Sequence, residues 1–83
     1  MFKYEYVIEF DGKEYSFTKE DSSETTLSRD MPNDILNFCK SKNIPAGSEI
    51  YLIITKLYDE EYYDSDEDYI VISNDYTTYS LAA

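Results

Sequence analysis

Hydrophobic and polar positions alternate from the start of the chain. Phe2, Tyr4, Tyr6, Ile8 and Phe10 fall on one side of an extended segment, against Lys3, Glu5, Val7 and Glu9 on the other. That is the period of a half-buried strand. Asp11-Gly12 follows and predicts a type I′ hairpin turn, in which both central residues need positive φ. The alternation then resumes from Lys13 to Thr18, with Tyr15 and Phe17 opposed to Glu14, Ser16 and Thr18. A β-hairpin is expected here.

Residues 20–30 are polar and carry turn and cap formers, so they read as a loop. A helix is expected to follow. Pro32 suits a first helical turn, Asn33 and Asp34 stand where the helix dipole favours acceptors and anions, and Lys40 and Lys42 lie near the other end. Met31, Ile35, Phe38 and Cys39 make a narrow apolar stripe with Leu36 beside it. Pro45 is expected to end the helix, because the residue before a proline avoids the helical region.

Ile50 to Tyr58 is the most apolar stretch, with Ile50, Leu52 and Ile54 facing one way and Tyr51, Ile53 and Leu57 the other. Apolar residues on both faces predict a central strand. Tyr69 to Ser73 reads as another strand, Ser73-Asn74-Asp75 as a turn, and Tyr76 to Leu81 as a short last strand. The order is ββα followed by ββ or βββ: a single α+β domain over residues 1–83, one sheet with the helix across one face. The ββα start leading into Asn43-Ile44-Pro45 and an apolar strand also resembles the β-grasp layout of ubiquitin-like domains over roughly the first 55 residues. That alternative implies a mixed sheet. The chain ends Ser80-Leu81-Ala82-Ala83, without the diglycine tail that conjugation needs.

Residues 58–69 break the pattern. They read Tyr-Asp-Glu-Glu-Tyr-Tyr-Asp-Ser-Asp-Glu-Asp-Tyr, with seven carboxylates in ten positions and no basic residue. Charged groups are rarely buried unless paired, so this stretch cannot form core. It is expected to connect two strands as a long hairpin loop, or to extend both as a protruding twisted ribbon.

Composition narrows the chemistry. Eighty-three residues allow one sheet and one helix, and ten tyrosines with four phenylalanines supply the apolar area for a core. The single Cys39 cannot form an internal disulfide and is expected to be a core residue. There is no histidine, which removes histidine-based zinc sites and the Ser-His-Asp and Cys-His arrangements. With only Gly12 and Gly47, no glycine-rich loop can cradle a phosphate. No enzymatic activity and no cofactor are expected. Asp64, Asp66 and Asp68 match the first EF-hand ligand positions, but Tyr69 stands where that loop needs glycine and Asp75 where it needs glutamate. No metal site is expected either. Carboxylate pairs such as Glu60 and Asp64 could in principle serve a glycosidase, but that chemistry needs a deep pocket, which so small a domain is not expected to offer.

A net charge of −11 repels nucleic acid and anionic membranes and favours a basic protein partner. No apolar run is long enough to cross a membrane, and the N-terminal residues lack signal-peptide character. Cytoplasmic residence is the expectation, as a monomer or weak dimer.

The acidic stretch admits a bland reading, a solvated loop that keeps the domain soluble. Its tyrosines favour a contact surface, since tyrosine is enriched in protein interfaces. Carboxylates on alternate positions of an extended strand lie about 6.6 Å apart, roughly two axial steps of one DNA strand. They can address several phosphate-binding groups at once. In these terms the chain resembles the small acidic inhibitors that phages encode, such as anti-CRISPR, anti-restriction and uracil-DNA glycosylase inhibitor proteins. The resemblance lies in a compact α+β domain, strong negative charge and a Tyr/Asp/Glu-rich segment. It implies stoichiometric blockade of a nucleic-acid-binding enzyme by a DNA-mimicking face, in a host cytoplasm, with a CRISPR-Cas effector as first choice of target. Asp59, Glu60, Glu61, Asp64, Asp66, Glu67 and Asp68 would pair with basic groups, and Tyr62 and Tyr63 would pack at the centre. The alternative is an acidic immunity module that neutralises a basic protein.

Overall fold

Residues 1–82 are described in a computed structural model. Strands β1 (Phe2–Phe10) and β2 (Lys13–Asp21) form the first hairpin, followed by helix α1 (Glu24–Ser41), then β3 (Glu49–Tyr58), β4 (Glu61–Ile72) and β5 (Tyr79–Leu81). The sheet order is β2-β1-β3-β4-β5 and every pairing is antiparallel. The fold is α+β with one helix against one sheet. It has no parallel pair among the described residues, so the β-grasp alternative does not hold: β1 pairs antiparallel with β3.

The first hairpin follows its pattern. Asp11 and Gly12 have φ of 52° and 74°, as a type I′ turn requires. Tyr4, Tyr6 and Ile8 are buried, and Phe17 on β2 is stacked between Tyr6 and Phe38, 4.3 Å from each ring centre.

The helix begins earlier than Pro32 suggests. Ser23 caps it, its hydroxyl accepting from the Thr26 N–H at 3.3 Å, with Glu24 in the first turn where the dipole favours a negative charge. Residues 24–30 are thus helical and not a loop, and Pro32 lies inside the helix. The missing proline N–H leaves the Ser28 carbonyl without its intrahelical donor. Pro45 is not the stop signal. The helix ends in a Schellman motif, with Asn43 left-handed at φ 58°, its N–H on Lys40 O and the Ile44 N–H on Cys39 O. Ile44 is buried as the apolar residue that accompanies this cap.

Leu27, Ile35, Leu36 and Cys39 are the buried helix residues, and they pack with Ile50, Leu52, Ile54, Ile70 and Ile72 of the sheet in one core. Leu36 therefore belongs to the core stripe, while Met31 and Phe38 flank it. Cys39 is a free, buried thiol. The last predicted strand is shorter than its β-forming residues suggest: Ser73–Thr78 form turns, with Asp75 accepting from Ser73 and Thr77, and only Tyr79–Leu81 pair with β4. Among the described residues no helix is long and apolar enough to cross a membrane.

Candidate protein-binding surface

The acidic stretch is a strand, not a loop. Asp59 and Glu60 form a two-residue turn with φ of 48° and 67°, and Glu61–Ile72 run back along β3. Extended backbone keeps neighbouring side chains on opposite faces, which eases repulsion between successive carboxylates, and residues 61–69 are all exposed. Tyrosine has high strand propensity, and β3 supplies the partner ladder.

Register distributes the carboxylates. Asp64, Asp66 and Asp68 lie opposite Lys56, Ile54 and Leu52, so they share the face on which the helix packs. Glu67 lies opposite Ile53, on the reverse face. There it accepts a hydrogen bond from the Tyr51 hydroxyl, whose pKa is pushed up to about 12 chiefly by that bond. The Tyr51 and Tyr69 rings lie 4.8 Å apart beside it. The expected contact residues are therefore split between two faces, with Asp59 and Glu60 at the tip and Glu61 opposite Tyr58.

The two tyrosines are at the hairpin tip and not at the centre of the row. A β-bulge follows Lys56: Lys56 pairs with Asp64 and Leu57 with Tyr62, leaving Tyr63 as the extra residue. Tyr63 turns its ring edge toward Phe2, 6.2 Å between centres, and burial pushes its hydroxyl pKa up. Tyr62 is 64% exposed on the reverse face.

Cations from elsewhere in the chain reach this segment. The Met1 ammonium lies 2.8 Å from Asp59, Lys3 Nζ 2.8 Å from Glu60, and Lys56 Nζ 3.3 Å from Asp66 and 4.0 Å from Asp64. The pairing of Lys3 and Lys56 with this segment is invisible in a linear reading. Lys56 is the single charge in the run from Ile50 to Leu57. Counting register back from a two-residue turn places it opposite Tyr63, one residue short of Asp64, because the bulge leaves no trace in the pattern. Glu61 and Asp68 have no ion-pair partner among the described residues.

The reverse face carries Glu5 and Glu9 of β1 and Glu14 of β2, continuing the acidic surface away from β4 on the polar side of the first hairpin. A shallow depression of about 410 Å³ lies there, bordered by Glu9, Glu14, Glu49, Tyr51 and Tyr69. The exposed Asp64, Asp66 and Asp68 stand along an open strand and not around a cavity. No group of three metal-ligating side chains converges among the described residues. No protein-family model, characterised protein or solved structure matches the chain.

Proposed function

We propose that this protein is a stoichiometric inhibitor that blocks a nucleic-acid-binding enzyme by presenting the acidic face of β4 where a phosphate backbone would lie. One observation carries the reading: Asp64, Asp66 and Asp68 are exposed on one face of one strand whose pairing with β3 fixes their spacing. Alternate strand positions lie about 6.6 Å apart, close to twice the axial step along one DNA strand. A row preorganised in this way loses little conformational entropy when it meets a basic groove. Glu61 and Asp68 supply charge that no cation among the described residues pairs with, and Tyr62 offers an exposed ring near the tip.

The function is non-enzymatic in this reading. The carboxylates stand in the open, and the chain has no histidine to act as a general base at neutral pH. The proposed partner is a basic nucleic-acid-binding protein in the cytoplasm, with a CRISPR-Cas effector the first target to try.

The test is capture of the target from a host lysate by the intact protein, followed by competition with oligonucleotide. Duplex DNA or RNA should displace the protein, and binding should weaken steeply as salt rises. Asp64→Asn/Asp66→Asn/Asp68→Asn should weaken binding about tenfold or more, and lysine at the same three positions should abolish it with the circular-dichroism spectrum retained. A partner that binds unchanged in saturating oligonucleotide points to an immunity module in place of a nucleic-acid mimic. Unchanged binding by both triple variants removes the β4 row from the mechanism.

A further inference from the structure

The strand that carries the acidic row is also an open sheet edge. β5 pairs only with Ile70–Ile72, so from Glu61 to Asp68 strand β4 has a neighbour on the β3 side alone. Backbone groups of successive residues in an antiparallel strand point to alternate sides. Ile72 bonds toward the β3 side, its N–H to Ser48 O and its C=O from the Gly47 N–H, whereas Tyr69 C=O accepts from Ala82 on the β5 side. Beyond the bulge, Ser65 and Glu67 therefore direct their N–H and C=O outward. The Ser65 N–H is turned onto its neighbour Asp64, 2.9 Å from Oδ1. That leaves the Ser65 C=O and both backbone groups of Glu67 without a partner among the described residues, in line with the end of β5.

An open edge is a template for any strand, and charge selects among the candidates. A second copy of β4 would bring aspartate against aspartate, which costs free energy in directly opposed pairs. A strand whose helix-side residues are lysine or arginine would meet Asp64, Asp66 and Asp68 as cross-strand partners. We propose that the edge of β4 between Glu61 and Asp68 receives an extended basic segment of the partner protein as an added antiparallel strand. Its lysines or arginines lie beside Asp64, Asp66 and Asp68, and its intervening residues lie beside Ser65 and Glu67. This rests on β4 being the partner contact, but not on the partner being a nucleic-acid-binding enzyme.

Cross-strand pairs share a face, so the incoming residues opposite Ser65 and Glu67 are the non-basic ones, and they turn their backbone groups toward β4. A synthetic heptapeptide alternating lysine with threonine or valine tests this against the intact protein. Methylating the backbone nitrogens of its threonine and valine residues removes the edge bonds and keeps the charge. Methylating those of its lysines removes only solvent-facing donors. The first peptide should bind at least about tenfold more weakly than the parent and the second nearly as well, and the Glu67 amide should exchange more slowly with the parent bound. Glu67→Pro, which deletes an outward N–H at a position where edge strands tolerate proline, should lose the peptide while Glu67→Gln keeps most of it. Equal binding by the two methylated peptides, the reverse order, or no binding by the parent overturns strand addition. Equal binding that salt abolishes leaves the acidic-face reading standing, and a target indifferent to oligonucleotide removes the mimic reading without touching the edge.

Discussion

Lys56 Nζ lies 3.3 Å from Asp66 Oδ2, so a cation on the central strand partly neutralises the acidic row beside it. The same ammonium stands 5.2 Å from the centre of the Tyr4 ring. Its stem lies along the sheet while the charged end reaches the exposed edge. Lys56 thus tunes how much negative charge β4 offers.

Lys56→Met keeps the stem and removes the charge. Stability should change by less than about 1 kcal/mol, because the aspartates it meets are more than half exposed. Association with a lysine-rich peptide should become several-fold faster at low salt, and the difference should shrink as salt rises. Stopped-flow association and urea unfolding separate the two effects. An unchanged association rate would mean that the row is not the surface first met.

Glu60 is a non-glycine residue at φ 67°. Left-handed backbone costs an L-residue about 1–2 kcal/mol, which the solvent-exposed ion pair with Lys3 offsets only in part. Glu60→Gly should therefore raise stability by about 0.5 kcal/mol, read as a higher urea midpoint at constant slope.

The Tyr6 hydroxyl is buried and has no hydrogen-bond partner among the described residues. A buried unsatisfied group costs about 1–3 kcal/mol. Tyr6→Phe keeps the ring stacked on Phe17 and should leave the melting temperature unchanged or higher. Tyr4→Phe is the contrast, because it removes a hydroxyl that donates to Glu24, and it should lower the midpoint.

Burial pushes the Cys39 thiol from its ordinary 9.0 up to about 11. The neutral form is the one the fold prefers. The associated stability is complete below pH 9 and is lost as pH rises toward 11, by about 3 kcal/mol in all. Tyr4 and Tyr6 are raised in the same direction by burial and deepen the loss at higher pH. Urea midpoints should fall across this window. A disulfide reagent at pH 8 should label Cys39 only as fast as the protein opens; rapid labelling of the native state would contradict the burial argument.

The strands that line the core were legible because their residues alternate. Tyr4, Tyr6 and Ile8 announce a buried face, and Asp11-Gly12 names its turn. The first turns of the helix were not, since residues 24–30 include a single buried side chain, Leu27, and one apolar position makes no period. Pro32 and Pro45 are the stronger signals in the pattern, but the boundaries lie at Ser23 and Asn43, which act through short-range hydrogen bonds and a left-handed φ. At the candidate surface the charge density was readable but its arrangement was not. Which of Asp66 and Glu67 lies on the helix side depends on strand register, and the cations that meet Glu60 and Asp66 are 57 and 10 residues away along the chain, at Lys3 and Lys56. The bulge at Tyr63 has no turn residue to reveal it.

That bulge also sets the parity of the whole of β4. Without Tyr63 as the extra residue, every position after it would pair one step along β3 and change faces. Ile70 and Ile72 would leave the core, and Asp64, Asp66 and Asp68 would cross to the reverse side. The charged half of the strand and its buried half are thus locked to one odd-numbered count from the turn. Substitution can alter the charges of this stretch one at a time, but its length can change only in twos.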